Sequence, residues 1–268
     1  MFIVAGIDVG SGTTKAVILD GEKNVIGKGQ ARTIANFAQV AQEALNAALK
    51  EAGLDQGELD YIATTGLGRY SVPFRDIQIT DITCGARGAA FLFPGTKCVL
   101  DIGSQSTRAI KVQDGGRVKA FRANDKCAAG SGSFLEKAAK YLEVSLEEIG
   151  ELSLASQEPQ PISSVCAVLA ESEIINHVSA GKKVEDILRG VHISLAERSL
   201  ALLKRVGLEE ELTLIGGVAK QSAMIKVLEE KCKMKVNVSE GPEYVAALGA
   251  ALLGLGRLKK KREEGLLH

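Results

Sequence analysis

One pattern occurs twice in this chain of 268 residues: an apolar strand, an aspartate, one apolar residue, a glycine, a small polar loop and a second apolar strand. The first copy places Asp8 after Ile3, Val4, Ala5, Gly6 and Ile7, then turns through Gly10, Ser11, Gly12, Thr13 and Thr14 into Lys15, Ala16, Val17, Ile18 and Leu19. The second places Asp101 after Val99 and Leu100, then turns through Gly103, Ser104, Gln105, Ser106 and Thr107 into Arg108, Ala109, Ile110, Lys111 and Val112. Two such hairpins about ninety residues apart indicate an internal duplication, with two similar α/β domains facing a shared phosphate site. The first loop offers backbone amides and three hydroxyls to phosphate oxygens, and Asp8 is placed to hold a hydrated Mg²⁺. It is not a Gly-Lys-Ser/Thr P-loop, because no helix follows it.

The rest of the chain supplies helices and one more glycine turn. Val40, Ala41, Ala44, Leu45, Ala48 and Leu49 share one helical face over 38–52, ending at Gly53. Residues 61–66 form a short buried strand that leads to a glycine turn. The segments 84–90 and 246–252 are rich in glycine and alanine, suited to close helix crossing and to a hinge. Residues 184–206 predict a long amphipathic helix with a break at Gly190. Residues 211–219 predict a buried strand running into Gly216-Gly217, a turn that lets a flat ring or ribose approach the backbone.

Composition bounds the partners. Lys plus Arg equals Asp plus Glu at 33 each, so no global field draws nucleic acid or an anionic membrane. The apolar start of the chain lacks a basic leader and is interrupted at Asp8, which gives a cytoplasmic expectation. Five cysteines are better read as structural, catalytic or metal-binding thiols than as a disulfide framework.

Cys127 lies in the run Asn124, Asp125, Lys126, Cys127, Ala128, Ala129, Gly130, Ser131, Gly132, Ser133, and Phe134, Leu135, Ala138, Ala139 and Leu142 then repeat at helical spacing. A thiol beside a helix N-terminus meets free amides and the positive end of the dipole, which favour phosphate, thiolate or an anionic cluster. Gly130 and Gly132 let a large group approach the backbone. Three readings of Cys127 are open on these residues alone: a small buried hydrophobe, a nucleophile without the arginine of a phosphatase loop, or a cluster ligand. Cys166 stands at a second helix entrance, after Pro161, Ile162, Ser163, Ser164 and Val165.

Taken in order, these motifs resemble the superfamily of sugar kinases, actin and heat-shock chaperone ATPases. The two cysteine segments resemble the activators of 2-hydroxyacyl-CoA dehydratases and the ATPase subunits of benzoyl-CoA reductase. The resemblance implies two duplicated actin/sugar-kinase-like (ribonuclease H-like) domains, 1–94 plus 243–268 and 95–242, with an ATP cleft between them. It implies phosphate contacts at Gly10, Ser11, Gly12, Thr13, Thr14 and Lys15, with Gly103 and Ser106 opposite. Gly216, Gly217, Val218 and Ala219 would pack on the adenosine. Asp8 and Asp101 would position Mg²⁺ and water, and Gln105 the attacking water.

The resemblance also implies that Cys127 and Cys166 ligate a [4Fe-4S] cluster bridging a homodimer. A cubane needs four thiolates, and two from each of two chains supply them. The implied activity is ATP-driven transfer of one electron from a ferredoxin or flavodoxin to an iron–sulfur acceptor enzyme, a dehydratase, a benzoyl-CoA reductase or a double-cubane protein, with oxygen sensitivity. A push of ~0.3 V corresponds to roughly 7 kcal/mol. In several such activators the second loop reads Gly-Gly-Gln-Asp, whereas here it reads Gly103-Ser104-Gln105-Ser106. A small-molecule kinase of the same superfamily is the alternative, and it requires no iron.

Overall fold

The computed structural model describes residues 2–124 and 130–265. The chain forms two compact units, Met1–Gly95 with Val112–Val118 and Glu243–His268, and Thr96–Lys111 with Lys119–Pro242. The facing ends of strands Thr107–Gln113 and Arg117–Asn124 and the turn between them, residues 112–118, group with the first unit, and Arg87 Nη1 donates to Gly115 O at 2.6 Å.

The first unit is built on β1 (Ile3–Val9), β2 (Thr13–Asp20), β3 (Val25–Arg32), β4 (Tyr61–Gly66) and β5 (Ile77–Gln78), in the order β3-β2-β1-β4-β5. β1 runs antiparallel to β2 and parallel to β4, which places Asp8 beside both Lys15 and Thr65. Helix α1 (Phe37–Ala52) starts where the Asn36 side chain accepts from Gln39 N, and ends at Gly53 in the left-handed region. Its apolar face packs on Ala5, Ile7, Val9, Ala16 and Ile18. Truncating Leu45 to alanine in that layer should cost about 2–5 kcal/mol. On the other side of the unit α2 (Asp81–Leu92) meets α8 (Val245–Glu263), and the approach is so close that a Cβ on Gly249 would lie 1.8 Å from Cys84 O.

The second unit repeats the plan with β6 (Cys98–Ile102), β7 (Thr107–Gln113), β8 (Arg117–Asn124), β9 (Leu212–Ile215) and β10 (Val236–Asn237), in the order β10-β9-β6-β7-β8. Again the central strand is antiparallel to one neighbour, β7, and parallel to the other, β9. Where the first unit has one helix, this one inserts α3 (Gly132–Tyr141), α4 (Ile149–Leu154), α5 (Ala167–Ser179) and α6 (Val184–Val206); α7 (Ser222–Cys232) follows β9. Phe134, Leu135, Ala138, Ile174, Leu188, Val191 and Leu195 join the strand residues Leu100, Ile102 and Leu214 in one core.

Helix α6 is unbroken. The expected break at Gly190 is instead a close contact, because a Cβ there would lie 1.9 Å from Gln160 O. The buried strand expected to run into the Gly216-Gly217 turn is β9, and Gly217–Lys220 forms a 3-10 turn after it.

Candidate functional site

In the first unit Asp8 and Lys15 are cross-strand neighbours at the end of β1, with Lys15 Nζ 3.6 Å from Asp8 Oδ2 and donating to Thr13 O at 3.1 Å. The turn between them is braced from β3's end: Thr33 Oγ1 donates to Gly10 O at 2.8 Å and Thr33 N to Gly12 O at 3.0 Å. Thr14 is buried, its hydroxyl paired with Thr33 Oγ1 at 2.9 Å. Its hydroxyl therefore faces the brace, while Ser11 is half-buried and Thr13 exposed. Thr33, which secures the turn, carried no signal in the sequence because it lies beyond the hairpin and outside any motif.

The second unit reproduces this geometry with different residues. Asp101 is the register partner of Arg108, whose Nη1 lies 3.5 Å from Asp101 Oδ2. Gly103 N donates to Ser106 O at 2.9 Å to close the turn, and Gln105 is exposed at its tip. Beside it, at the end of β9, Gly216 has φ 91°, and a Cβ there would lie 2.7 Å from Asp101 Oδ1 and 2.5 Å from Ile102 O. Only glycine fits that approach. Gly217 is open, with nothing within 4 Å of where a Cβ would stand. Val218 and Ala219 turn inward and join the core beneath the turn.

Helix α3 begins against this second loop. Gly132 N donates to Gly103 O at 2.9 Å, Ser133 N to Ser104 O at 2.8 Å, and Thr107 Oγ1 to Gly130 O. The amides expected to be free for an anion at the start of α3 are thus taken by loop carbonyls. A Cβ on Gly132 would come 3.2 Å from both Gly103 O and Val218 Cγ2. Cys127 itself lies outside the described residues.

The other cysteine entrance differs. Cys166 is the N-cap of α5, and the neighbouring amides of Leu169 and Val168 hold its pKa below the ordinary value of 9.0, with Arg198 adding to the effect. The other three described cysteines shift the opposite way, each through burial: Cys84 to about 12, Cys98 and Cys232 upward. Around Cys166 the surface is apolar, with Val165 84% exposed, Val168 70% and Leu169 54%. The loop before it is fastened at Ser163. Its N donates to Glu173 Oε2, its O accepts from Ser194 Oγ at 2.8 Å and Arg198 Nη2 at 3.2 Å, and its Oγ accepts from Val165 N at 3.2 Å. Glu171 joins the two helices, accepting from Lys137 Nζ at 2.7 Å and Tyr141 Oη at 3.0 Å.

Among the described residues no three His, Cys, Asp or Glu side chains converge on one metal position. A half-buried thiol at a helix start, its pKa lowered by the neighbouring amides, nevertheless fits a thiolate ligand completed by further cysteines. Asp8 presents a carboxylate at the end of β1 with Lys15 Nζ 3.6 Å from its Oδ2. Among the described residues no helix is long and apolar enough to cross a membrane.

The comparisons with known proteins agree with this geometry. The model of the BadF/BadG/BcrA/BcrD ATPase family matches residues 5–254. The activator of lactoyl-CoA dehydratase from Anaerotignum propionicum is 40% identical over 256 residues, covering 96% of this chain and 98% of that one. The structure of the activator of the 2-hydroxyisocaproyl-CoA dehydratase from Clostridium difficile with bound ADPNP is similar at TM-score 0.93 and 35% identity, covering 98% of each chain. A ROK family glucokinase from Streptomyces griseus shares the fold at TM-score 0.59 and 13% identity, covering 94% of this chain and 99% of that one. With its duplicated α/β plan matched nearly end to end, the chain belongs to the BadF/BadG/BcrA/BcrD ATPase family.

Proposed function

We propose that the chain is the ATP-hydrolysing activator of a partner iron–sulfur enzyme, a 2-hydroxyacyl-CoA dehydratase, a benzoyl-CoA reductase or a double-cubane protein, and that it works as a cytoplasmic homodimer. The observation that carries this reading is Cys166: of the described cysteines it is the one held toward the thiolate, at an exposed helix entrance ringed by apolar side chains. Kinase chemistry gives no reason for such a thiol. A [4Fe-4S] cluster held by Cys127 and Cys166 of two chains would supply one-electron chemistry at low potential.

The residues divide the work. The amides of Gly10, Ser11, Gly12, Thr13 and Thr14 and the Lys15 ammonium would hold phosphate oxygens, and in the second unit Ser106 would do the same from the turn that Gly103 closes. Asp8 would hold Mg²⁺ through water, and Asp101 and the exposed Gln105 would orient the water that attacks the phosphoryl group. The open face of Gly217, set by the tight fit of Gly216, would receive the adenosine, while Val218 and Ala219 support that turn from the core. Gly130 and Gly132 would act through the close approach of α3 to the second loop. The exposed Val165, Val168 and Leu169 support a self-association surface beside the thiol. A ferredoxin or flavodoxin would be the electron donor.

The test is iron and acid-labile sulfide per chain in anaerobically purified protein, with the mass in solution. About two of each per chain in a dimer is expected. No iron in the wild type, with ATP hydrolysed only when a small acceptor is added, would leave the kinase reading.

A further inference from the structure

Resting on that reading, we infer that Thr107 is the positioning residue that transmits the state of the 103–107 loop to the cysteine-bearing segments. Thr107 is 1% exposed, and its hydroxyl donates to Gly130 O, away from the open side of the loop. It therefore acts on the segment leading into α3 rather than on a bound phosphate. Two backbone bonds run beside it, from Gly132 N to Gly103 O and from Ser133 N to Ser104 O. A shift of the loop thus moves residues 130–133 through three hydrogen bonds in a buried setting, where such bonds are stiff.

The path continues in the same unit: Gly130 and Arg198 line one hollow, and Arg198 Nη2 holds Ser163 O, three residues before Cys166. Thr107, Gly130, Val165 and Arg198 line a common hollow of about 340 Å³. Both cysteine segments are therefore tied to the loop that would meet the nucleotide. Of the three bonds at the loop, the Thr107 side chain makes the one that a substitution can remove while the backbone pairs stay.

The experiment compares full-length wild type, Thr107→Val and Thr107→Ser by peptide-resolved hydrogen exchange with ADP and with a non-hydrolysable ATP analogue. The expected result is a difference between the two nucleotides at peptides covering 130–134 and 163–170 in the wild type, its loss in Thr107→Val and its return in Thr107→Ser. Nucleotide protection of residues 10–15 should be the same in all three. Should the valine variant not fold, Thr107→Ala removes the same hydroxyl without added bulk. A difference at 163–170 that persists in Thr107→Val, or one absent from a wild type that protects residues 10–15, overturns the assignment. Because exchange follows backbone amides and not iron, an iron-free wild type would sink the electron-transfer reading while leaving this result decisive.

Discussion

Helices α3 and α5 are both entered from cysteine-bearing segments, yet they use their first amides in opposite ways. At α3 the Gly132 and Ser133 amides donate to carbonyls of the 103–107 loop. At α5 the Val168 and Leu169 amides stand beside Cys166 and lower the pKa of its thiol. One helix start is docked on a loop, and the other is presented to an anion. The same orphan donors that every helix carries can serve either purpose, and the partner that reaches them first decides which. Sequence proximity of a cysteine to a helix start therefore does not by itself establish a thiolate site.

The largest effect expected from breaking this contrast comes at the presented end. Cys166→Ser should abolish iron retention and electron delivery while ATP hydrolysis continues, read as iron per chain beside phosphate release. Next is a difference between thiols. In the iron-free chain, near pH 8, Cys166 should alkylate faster than Cys84 by on the order of a thousandfold or more. The Cys166 thiol ionises below 9.0 and Cys84 only at about 12. Peptide-resolved mass spectrometry checks the ratio, and equal rates would show that the α5 amides do not act on the sulfur.

At the docked end, Gly132→Val would force a side chain into the 3.2 Å space before Gly103 O and Val218 Cγ2. A loss of about 1–3 kcal/mol is expected in chemical denaturation, with weaker nucleotide binding as the loop is displaced. The smallest effect lies in the tie between the helices. Glu171→Gln should cost below about 1 kcal/mol, since the pair with Lys137 is partly exposed and screened by salt. Lys137 holds the Glu171 carboxyl below its ordinary 4.5, so this contribution is present above that pH and fades as pH falls through the lower folded value. A melt series in acid should show the difference between wild type and Glu171→Gln vanish there.

What was readable in advance follows burial. The two hairpins carry Asp8 and Asp101 between buried apolar residues, so their period and their duplication stand out, and α1 could be placed within a residue of its start. β3 and β8 gave no comparable signal. Both are edge strands, half open to solvent, with Gly27 and Gly29 in one and Arg117, Lys119 and Arg122 in the other. Gly190 misled because a glycine inside a helical pattern looks like a break, when its missing side chain makes room for the Gln160 carbonyl. Thr14 and Val218 carried a second role the pattern does not show: each sits inside a loop motif, and its side chain joins the packing that supports the loop.

The sequence by itself determined the duplicated α/β plan, the two aspartates at strand ends, the glycine turn at 216–217 and the helix entrance at Cys166. Those features are local, set by periodicity, backbone freedom and caps within a few residues. Tertiary structure alone decided that Thr33 braces the first turn, that loop carbonyls take the α3 amides, that Ser163 is fastened from α5 and α6, and that one described thiol is drawn toward its anion while three are pushed away. Each joins residues far apart in the chain, and a hydrogen bond or a desolvated sulfur exists only once folding has brought both partners to the same place.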